Sequence, residues 1–306
     1  MERFRHVLVA VTRSERDGDL IRYAAMLARL ESAVEVRFVH VLPDGGKGAD
    51  AGAQDAPDHD AALEAIERLV GDAFLNVPDA VKWYCDVLKG PLVDRLLSFA
   101  AEQAVDLILL GHRPDHPPGG GSLVRRLAMK APCSVWIVPD GSPIRLKRIL
   151  VPIDFSEHSA DAMVVATSMA RQAGDAECLP LHVYFDEAVL TYEEDDAIVR
   201  GQEEAAYRQF IAPIDCRGVN VTPLFVEGVN VAQTIHRIAC EQSVDLKVLS
   251  TRGRSRSAAI LLGSVTEGVI IAARTPVLVV KHFGAQIGLL RMLLDRTVHG
   301  RDSPHS

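Results

Sequence analysis

Residues 149–153 read Ile-Leu-Val-Pro-Ile, and residues 7–11 read Val-Leu-Val-Ala-Val, so that two similar apolar runs stand 142 positions apart. A second pair of apolar runs, at residues 134–138 and 276–280, has the same offset. Similar runs that recur in the same order at a constant offset indicate an internal duplication. The sequence therefore predicts two copies of one folding unit.

The two copies also differ in local length. Residues 102–107 match residues 241–246 at an offset of 139, whereas the later runs return to an offset of 142. The first copy therefore lacks three residues between positions 107 and 134.

Short apolar runs alternate with amphipathic stretches in each copy. Val/Ile/Leu-rich runs without polar alternation are typical of parallel strands buried on both faces, and strand–helix alternation builds right-handed βαβ units. We predict two tandem α/β domains, doubly wound and Rossmann-like, each with a five-stranded parallel sheet. The domains span residues 1–140 and 147–283, and a tail spans 284–306. In the second copy the predicted strands are 148–153, 177–184, 219–226, 245–250 and 276–281, and the predicted helices are 157–172, 193–211, 229–243 and 264–273.

Composition limits the partners and the compartment of the protein. The 306 residues carry a net charge of −8, which disfavours clamping of nucleic acid by charge alone. The five cysteines are scattered, with no Cys-x-x-Cys pair, as is typical of reduced thiols. No apolar run approaches the ~20 residues of a membrane span, and the start of the chain lacks a secretory leader. We therefore expect a cytoplasmic protein without nucleic-acid or membrane partners.

The stretch from Leu249 to Glu267 lies between a predicted strand and the last predicted helix. Ligands of doubly wound sheets bind beyond the carboxyl ends of the strands. Gly263 and Ser264 open the helix, whose first amides and partial positive charge favour phosphate. Ser264 and Glu267 fit a capping box, with Ser264 as N-cap and Glu267 at N3.

Polar side chains surround this helix start. Ser264 and Thr266 are expected to add hydroxyl donors, and Arg252 and two further arginines add positive charge. A basic, serine-rich surface loop with a routine helix cap is the alternative. Asp154, after the first strand of the copy, is either an acceptor for ribose hydroxyls or the N-cap of the next helix.

The stretch resembles the ATP-binding signature of the universal stress protein family, Gly-x2-Gly-x9-Gly-(Ser/Thr). Gly253 and Gly263 match its second and third glycines, and Ser264 matches its hydroxyl residue. The first glycine position holds Ser250, which would be strained if the backbone there needs a positive φ.

The resemblance implies that the second domain binds ATP, or ADP or AMP, with or without Mg²⁺. It places Pro152, Ile153 and Asp154 against adenine and ribose, and it packs Val183 on adenine. The complete set of expected nucleotide-binding residues is Pro152, Ile153, Asp154, Val183, Leu249, Ser250, Arg252, Gly253, Gly263, Ser264, Val265 and Thr266.

The first copy departs from this pattern. Thr12 stands where the second copy has Asp154, and Pro114, which has no N–H, takes the place of the middle glycine. We therefore expect one nucleotide per chain, bound in the second domain. An anion nest at residues 119–122 and a metal site at His112 and His116 are the alternatives for the first copy.

The sequence contains no committed catalytic motif: neither Gly-x-Ser-x-Gly, nor His-Glu-x-x-His, nor a P-loop occurs. We expect a nucleotide-binding regulatory protein of a stress response with at most slow hydrolysis. A slow ATPase or phosphotransferase, and a structural stress protein with an empty site, remain alternatives. The resemblance also implies an intramolecular pseudo-dimer through the last strands, 135–138 and 277–280, and leaves a homodimer of whole chains open. His182 and His236 are expected to be structural.

Overall fold

The computed structural model describes residues 4–14, 17–30, 35–43, 59–113, 120–184, 194–251 and 262–281. Within these residues, one sheet runs through both halves of the chain with helices on both faces. No helix in this part of the chain combines the length and the apolar character that a membrane crossing needs.

Each half alternates strands and helices as the sequence predicts. The first half contains β1 (His6–Ala10), α1 (Asp17–Leu30), β2 (Glu35–Leu42), α2 (His59–Phe74), β3 (Lys82–Lys89), α3 (Leu92–Glu102), β4 (Leu107–His112), α4 (Gly120–Lys130) and β5 (Ser134–Pro139). The second half contains β6 (Arg148–Ile153), α5 (Glu157–Ala173), β7 (Glu177–Tyr184), α6 (Glu194–Ile211), β8 (Asn220–Val221), β9 (Leu224–Glu227), α7 (Val231–Glu241), β10 (Leu246–Ser250), α8 (Ser264–Ile271) and β11 (Val277–Val280).

The strand order shows where each half offers a crevice. The first half has the order β3-β2-β1-β4-β5, and the second has β11-β10-β6-β7-β8, with β9 also paired to β7. In both halves the first strand lies between a strand that follows it directly and one that comes much later. The winding direction reverses at that place, beside β1 and β4 and beside β6 and β10, and open α/β sheets bind ligands there.

The outer strand of the second half is interrupted. Residues 219–226 were expected to form one strand, but β8 ends at Val221 and β9 begins at Leu224. Both segments pair with β7 without a change of register, because Val221 lies opposite Cys178 and Leu224 opposite Leu181. Pro223 stands in the gap, and its lack of an N–H removes a donor from the ladder.

The two halves meet through their last strands. β5 and β11 pair antiparallel, with Ile137 opposite Val277 and Val135 opposite Val279, and these side chains are fully buried. All other strand pairs in the described residues are parallel. The pairing removes two apolar edges that would otherwise be open to other chains.

The duplication is also visible in the backbone dihedral angles. Arg13 and Phe155 have φ of 64° and 60°, and they stand 142 positions apart. Ala104 and Ser243 have φ of 49° and 50°, and they stand 139 positions apart. Left-handed conformations are uncommon for residues with a side chain. Their recurrence at equivalent positions shows that both copies keep the same turns after their first strand and third helix.

Candidate functional site

A cavity of about 300 Å³ opens beyond the carboxyl ends of β6, β7 and β10, at the crevice of the second half. Ten of the twelve residues expected to bind a nucleotide line it, namely Pro152, Ile153, Asp154, Val183, Leu249, Ser250, Gly263, Ser264, Val265 and Thr266. The other two, Arg252 and Gly253, lie outside the described residues.

One side of the cavity is apolar. Leu181 and Val183 of β7, Leu249 of β10 and Val231 at the start of α7 contribute to it, together with Pro152. Leu181 and Val231 were not expected from the sequence, because they lie on separate elements and outside any motif. A wall of this kind offers contact area to a flat, weakly polar ring.

The opposite side of the cavity is polar and begins at Asp154. One carboxylate oxygen accepts hydrogen bonds from the Ser156 N–H at 3.1 Å and from the Ser156 hydroxyl at 2.5 Å. Ser156, and not Asp154, is the N-cap of α5, because its hydroxyl oxygen accepts from the Ser159 N–H. The structure therefore decides against the capping alternative and leaves Asp154 as an oriented carboxylate on the cavity wall.

Helix α8 begins at the polar end of the cavity, and its cap differs from the prediction. Gly263 is the N-cap, and no side chain caps the helix there. The predicted capping box of Ser264 and Glu267 is wrong for two physical reasons. The Glu267 N–H donates to the Gly263 carbonyl at 2.9 Å, which places the N-cap one residue earlier than Ser264, and the Glu267 carboxylate pairs with Arg125 at 2.7 Å.

Thr266 holds α8 against the end of β10. Its buried hydroxyl donates to the Ser250 carbonyl at 2.9 Å. The expectation that Thr266 supplies a free hydroxyl donor is therefore wrong, since its proton is used within the protein. Ser264 is exposed at the cavity mouth, and its hydroxyl remains close to the solvent.

The backbone at Ser250 and Gly263 is unstrained. Ser250 does not belong to the described residues with a positive φ, so a serine there is not strained. Gly263 has φ −63°, and a Cβ added to it would meet the Thr251 oxygen at 3.5 Å, an ordinary contact. Neither position therefore needs glycine for the fold.

His182 is held by three contacts next to the cavity. Its Nδ1 donates to the Ile153 carbonyl at 2.9 Å, and its Nε2 lies 3.1 Å from a Glu203 oxygen. Its ring stacks on Phe155 with 4.3 Å between centroids. These contacts agree with the expected structural role, and His182 also lines the cavity, which no sequence motif indicates. His40, the equivalent residue of the first half, makes the same 2.9 Å contact with a carbonyl.

Among the described residues, the crevice of the first half contains a cavity of about 80 Å³. Thr12 replaces the aspartate of the second half, but Asp17 of α1 supplies a carboxylate instead. The Asp17 carboxylate is buried and accepts from the Thr12 N–H, the Thr12 hydroxyl and the Ser14 N–H, each at 3.0 Å. Asp140 adds a further negative charge to the lining. Asp19 and Arg113 also line this crevice, and Arg113 lies 3.8 Å from Asp140. Three carboxylates against one cation leave a net negative charge, which opposes an anion.

Metal ligation finds no support within the described residues. No group of three His, Cys, Asp or Glu side chains lies close enough there to hold an ion. His112 is buried, and burial lowers the pKa of its imidazole. The other histidine of that alternative, His116, lies outside the described residues, as do Pro114 and Gly119.

Comparison with known proteins identifies a family whose sequence model matches both halves of the chain. The sequence model of the Universal stress protein family matches residues 3–139 and again residues 145–281. A universal stress protein of Methanocaldococcus jannaschii is 31% identical over 141 residues, covering 44% of this chain and 82% of the relative. A second universal stress protein of that organism is 28% identical over 159 residues, covering 45% of this chain and 96% of the relative.

Solved structures resemble the whole chain. A universal stress protein from Archaeoglobus fulgidus has a TM-score of 0.63 at 18% identity, covering 91% of this chain and 97% of its own. A protein of unknown function from Pseudomonas aeruginosa has a TM-score of 0.66 at 19% identity, covering 96% and 98%. At such identities the likeness concerns the fold alone.

Proposed function

Because the chain belongs to the universal stress protein family, with two copies of the family's domain in tandem, we propose that it is a nucleotide-binding regulatory protein of a stress response. One adenine nucleotide binds per chain, in the cavity of the second half. The observation that carries the proposal is the juxtaposition, in one cavity, of an apolar wall, an oriented carboxylate and a helix N-terminus.

The adenine ring fits the apolar side. Val183, Leu249 and Val231 come from three different elements, so that a ring inserted between them is contacted from more than one direction. A ring buried there exchanges water for apolar contact, the main source of affinity in such pockets. The backbone of β6 at Pro152 and Ile153 borders the same space and adds polar groups for the edge of the ring.

The ribose fits beside Asp154. A carboxylate accepts hydrogen bonds and cannot donate them when ionised, so it suits the two hydroxyl groups of a ribose. The bonds from Ser156 hold the Asp154 side chain in place. Less conformational freedom is therefore lost when the sugar binds.

The phosphates fit at the start of α8. The N–H groups of Ser264, Val265 and Thr266 belong to the first turn of the helix, which has no intrahelical acceptors for them. The helix dipole adds positive potential at the same place. Gly263 lines the cavity without a side chain, so that an anion can approach the backbone there.

The arrangement supports binding better than turnover. Phosphoryl transfer needs a carboxylate that holds a metal and a cation directed at the transferred phosphate. Within the described residues the only carboxylate on the cavity lining is Asp154, which the proposal assigns to the ribose. Binding without rapid hydrolysis, read out through a change of conformation or partner, is therefore the proposed mode of action.

The two halves act together as an intramolecular pseudo-dimer. The antiparallel pairing of β5 with β11 supports this arrangement. The first half, with its small crevice lined by carboxylates, binds no nucleotide and completes the fold of the second.

Calorimetric titration of the purified chain with ATP, ADP, AMP and adenosine, with and without Mg²⁺, tests the proposal. We expect one site per chain. Asp154→Ala should weaken binding of all four ligands by roughly 10- to 100-fold, because it removes a hydrogen bond to a charged group. Gly263→Val should weaken the phosphorylated ligands and leave adenosine nearly unchanged, because the branched side chain enters the anion space without disturbing the apolar wall.

Thr12→Ala, at the equivalent position of the first half, is the matched control and should bind like the parent. Phosphate release measured on the same samples separates a regulator from an ATPase. Two equivalent sites per chain, or full binding by both second-half variants, would overturn the proposed site.

A further inference from the structure

Arg125 of the first half reaches the helix that opens the cavity of the second half. Its Nε lies 2.7 Å from the carboxylate of Glu267, which belongs to the first turn of α8. Both side chains are partly exposed, at 49% and 30%. The ion pair therefore joins α4 of one half to the first turn of α8, the helix whose first residues line the cavity of the other half.

The two partners occupy equivalent positions in the duplicated sequence. Arg125 and Glu267 stand 142 residues apart, the same offset that relates Gly121-Ser122 to Gly263-Ser264. When two identical units pair about a two-fold axis, a residue near the axis faces its own copy. Two glutamates at this position would repel each other, whereas the tandem chain places a cation opposite the glutamate.

Glu267 presents a conflict for an anion site. An acidic residue in the first turn stabilises a helix through the dipole. The same carboxylate repels a phosphate that approaches the amides of that turn. A cation fixed on the carboxylate removes most of the repulsion and keeps the helix start intact.

The structure fixes the end of α4, the helix that carries Arg125. At the end of β11, the Lys281 ammonium donates to the carbonyls of Met129 and Ala131, where α4 ends. The Lys281 N–H donates to the Ser134 hydroxyl of β5 at 3.2 Å. Helix α4 is thus tied to the paired strands of both halves, which fixes its backbone relative to α8.

We propose that Arg125 is a positioning residue for the nucleotide phosphates, contributed by the half that binds no nucleotide. It acts through Glu267, whose charge it neutralises beside the first turn of α8. This inference rests on the proposed function, since it concerns the anion end of the same cavity. It assigns the first half a defined electrostatic role in the activity of the second.

The test compares two single variants. If the ion pair were purely structural, its loss in either variant would change ATP affinity in the same direction. Arg125→Gln leaves the Glu267 charge unopposed and should lower ATP affinity about 3- to 10-fold, with adenosine affinity within about twofold of the parent. Glu267→Gln leaves the Arg125 charge unopposed and should raise ATP affinity, again without an effect on adenosine. The double variant Arg125→Gln/Glu267→Gln should return to within about twofold of the parent, because neither charge remains.

Arg126→Gln is the matched control, since it removes the same charge from the adjacent, exposed position of α4. It should change ATP affinity by less than about twofold at physiological salt. Equal losses from Arg125→Gln and Arg126→Gln, or weaker ATP binding by Glu267→Gln, would overturn the inference while the proposed function stands. A parent chain that binds no adenine nucleotide would remove both.

Discussion

Trp136 and Leu278 lie directly opposite each other in the antiparallel pair of β5 and β11, and they occupy equivalent positions in the two copies of the sequence. The local two-fold axis between the halves therefore passes between a large side chain and a smaller one. Both are fully buried, and Trp136 also makes an edge contact with Tyr23, with 6.0 Å between ring centroids. The copies have diverged into complementary sizes at the axis.

Leu278→Trp places two indoles at this axis and should destabilise the protein by roughly 1–3 kcal/mol through overpacking. Trp136→Leu should cost roughly 2–4 kcal/mol, because it leaves a cavity and removes the contact with Tyr23. Urea unfolding followed by far-UV circular dichroism measures both changes.

The exchanged pair, Trp136→Leu/Leu278→Trp, conserves the total volume at the axis. It should be more stable than the sum of the single changes predicts, because the large residue again meets a small one. We expect the exchanged pair to regain only part of the lost stability. The residue equivalent to Tyr23 in the second half is Val165, so a tryptophan at position 278 has no equivalent aromatic contact. Strictly additive losses would show that the two residues do not share one packing space.

The hydrogen bond from Thr266 to Ser250 ties α8 to the strand end beside the cavity. Thr266→Val keeps the shape of the side chain and removes the donor, so the free energy of unfolding should fall by about 1 kcal/mol. Thr266→Ser keeps the hydroxyl and serves as the control for that loss. A valine variant that unfolds at the same urea concentration as the parent would contradict the assigned role.

Lys247 is fully buried in β10, with its ammonium 3.4 Å from Nδ1 of His236. Burial removes the ammonium from water and lowers its pKa from 10.5 to about 8. Between these two values the unfolded chain binds more protons than the folded one, so stability rises with pH across that window. Below pH 8 the whole cost of burying the charge is present, on the order of 3 kcal/mol.

Lys247→Met should therefore stabilise the protein at pH 7, and its advantage should shrink as the pH approaches 10. Urea unfolding at a series of pH values measures the difference between variant and parent. Lys82→Met, on the exposed face of β3, is the control and should show no such trend. A gain that stays constant from pH 7 to pH 10 would count against a buried, charge-bearing Lys247.

Ala104 follows α3 with a φ of 49°, in the left-handed region where a Cβ is unfavourable. Ala104→Gly should stabilise the protein by about 0.5–1 kcal/mol, since glycine is the preferred residue after a helix end. Ser98→Gly, in the exposed middle of the same helix, should instead destabilise it by about 0.5 kcal/mol. The two changes should thus shift the thermal unfolding midpoint in opposite directions.

Much of the second half was readable from local patterns. The predicted strands 148–153 and 177–184 agree with β6 and β7, and the helix predicted from 264 begins at Ser264. Apolar runs and helix periodicity are local properties, so each element could be recognised without its neighbours. The strand predicted at 219–226 is interrupted between β8 and β9, because Pro223 removes a donor from the ladder.

Interactions between distant segments escaped the sequence. The capping box of Ser264 and Glu267 satisfied the local rule, but the Gly263 carbonyl accepts the Glu267 N–H that the box requires, and Arg125 pairs with the Glu267 carboxylate. Leu181 and Val231 line the cavity. In the sequence they have the pattern of ordinary core residues, because only the fold brings β7 and α7 together. Patterns within a few residues carry no information about these partners.

The sequence by itself determined that one α/β unit is duplicated, and it singled out the strand ends and the glycine-containing segment that border the cavity. Only the tertiary structure decided that Arg125 meets Glu267 and that Trp136 meets Leu278. The physical reason is that the periodicity of an element depends on its own backbone. The partner of a residue at an interface depends on how two sheet edges approach, which no local pattern encodes.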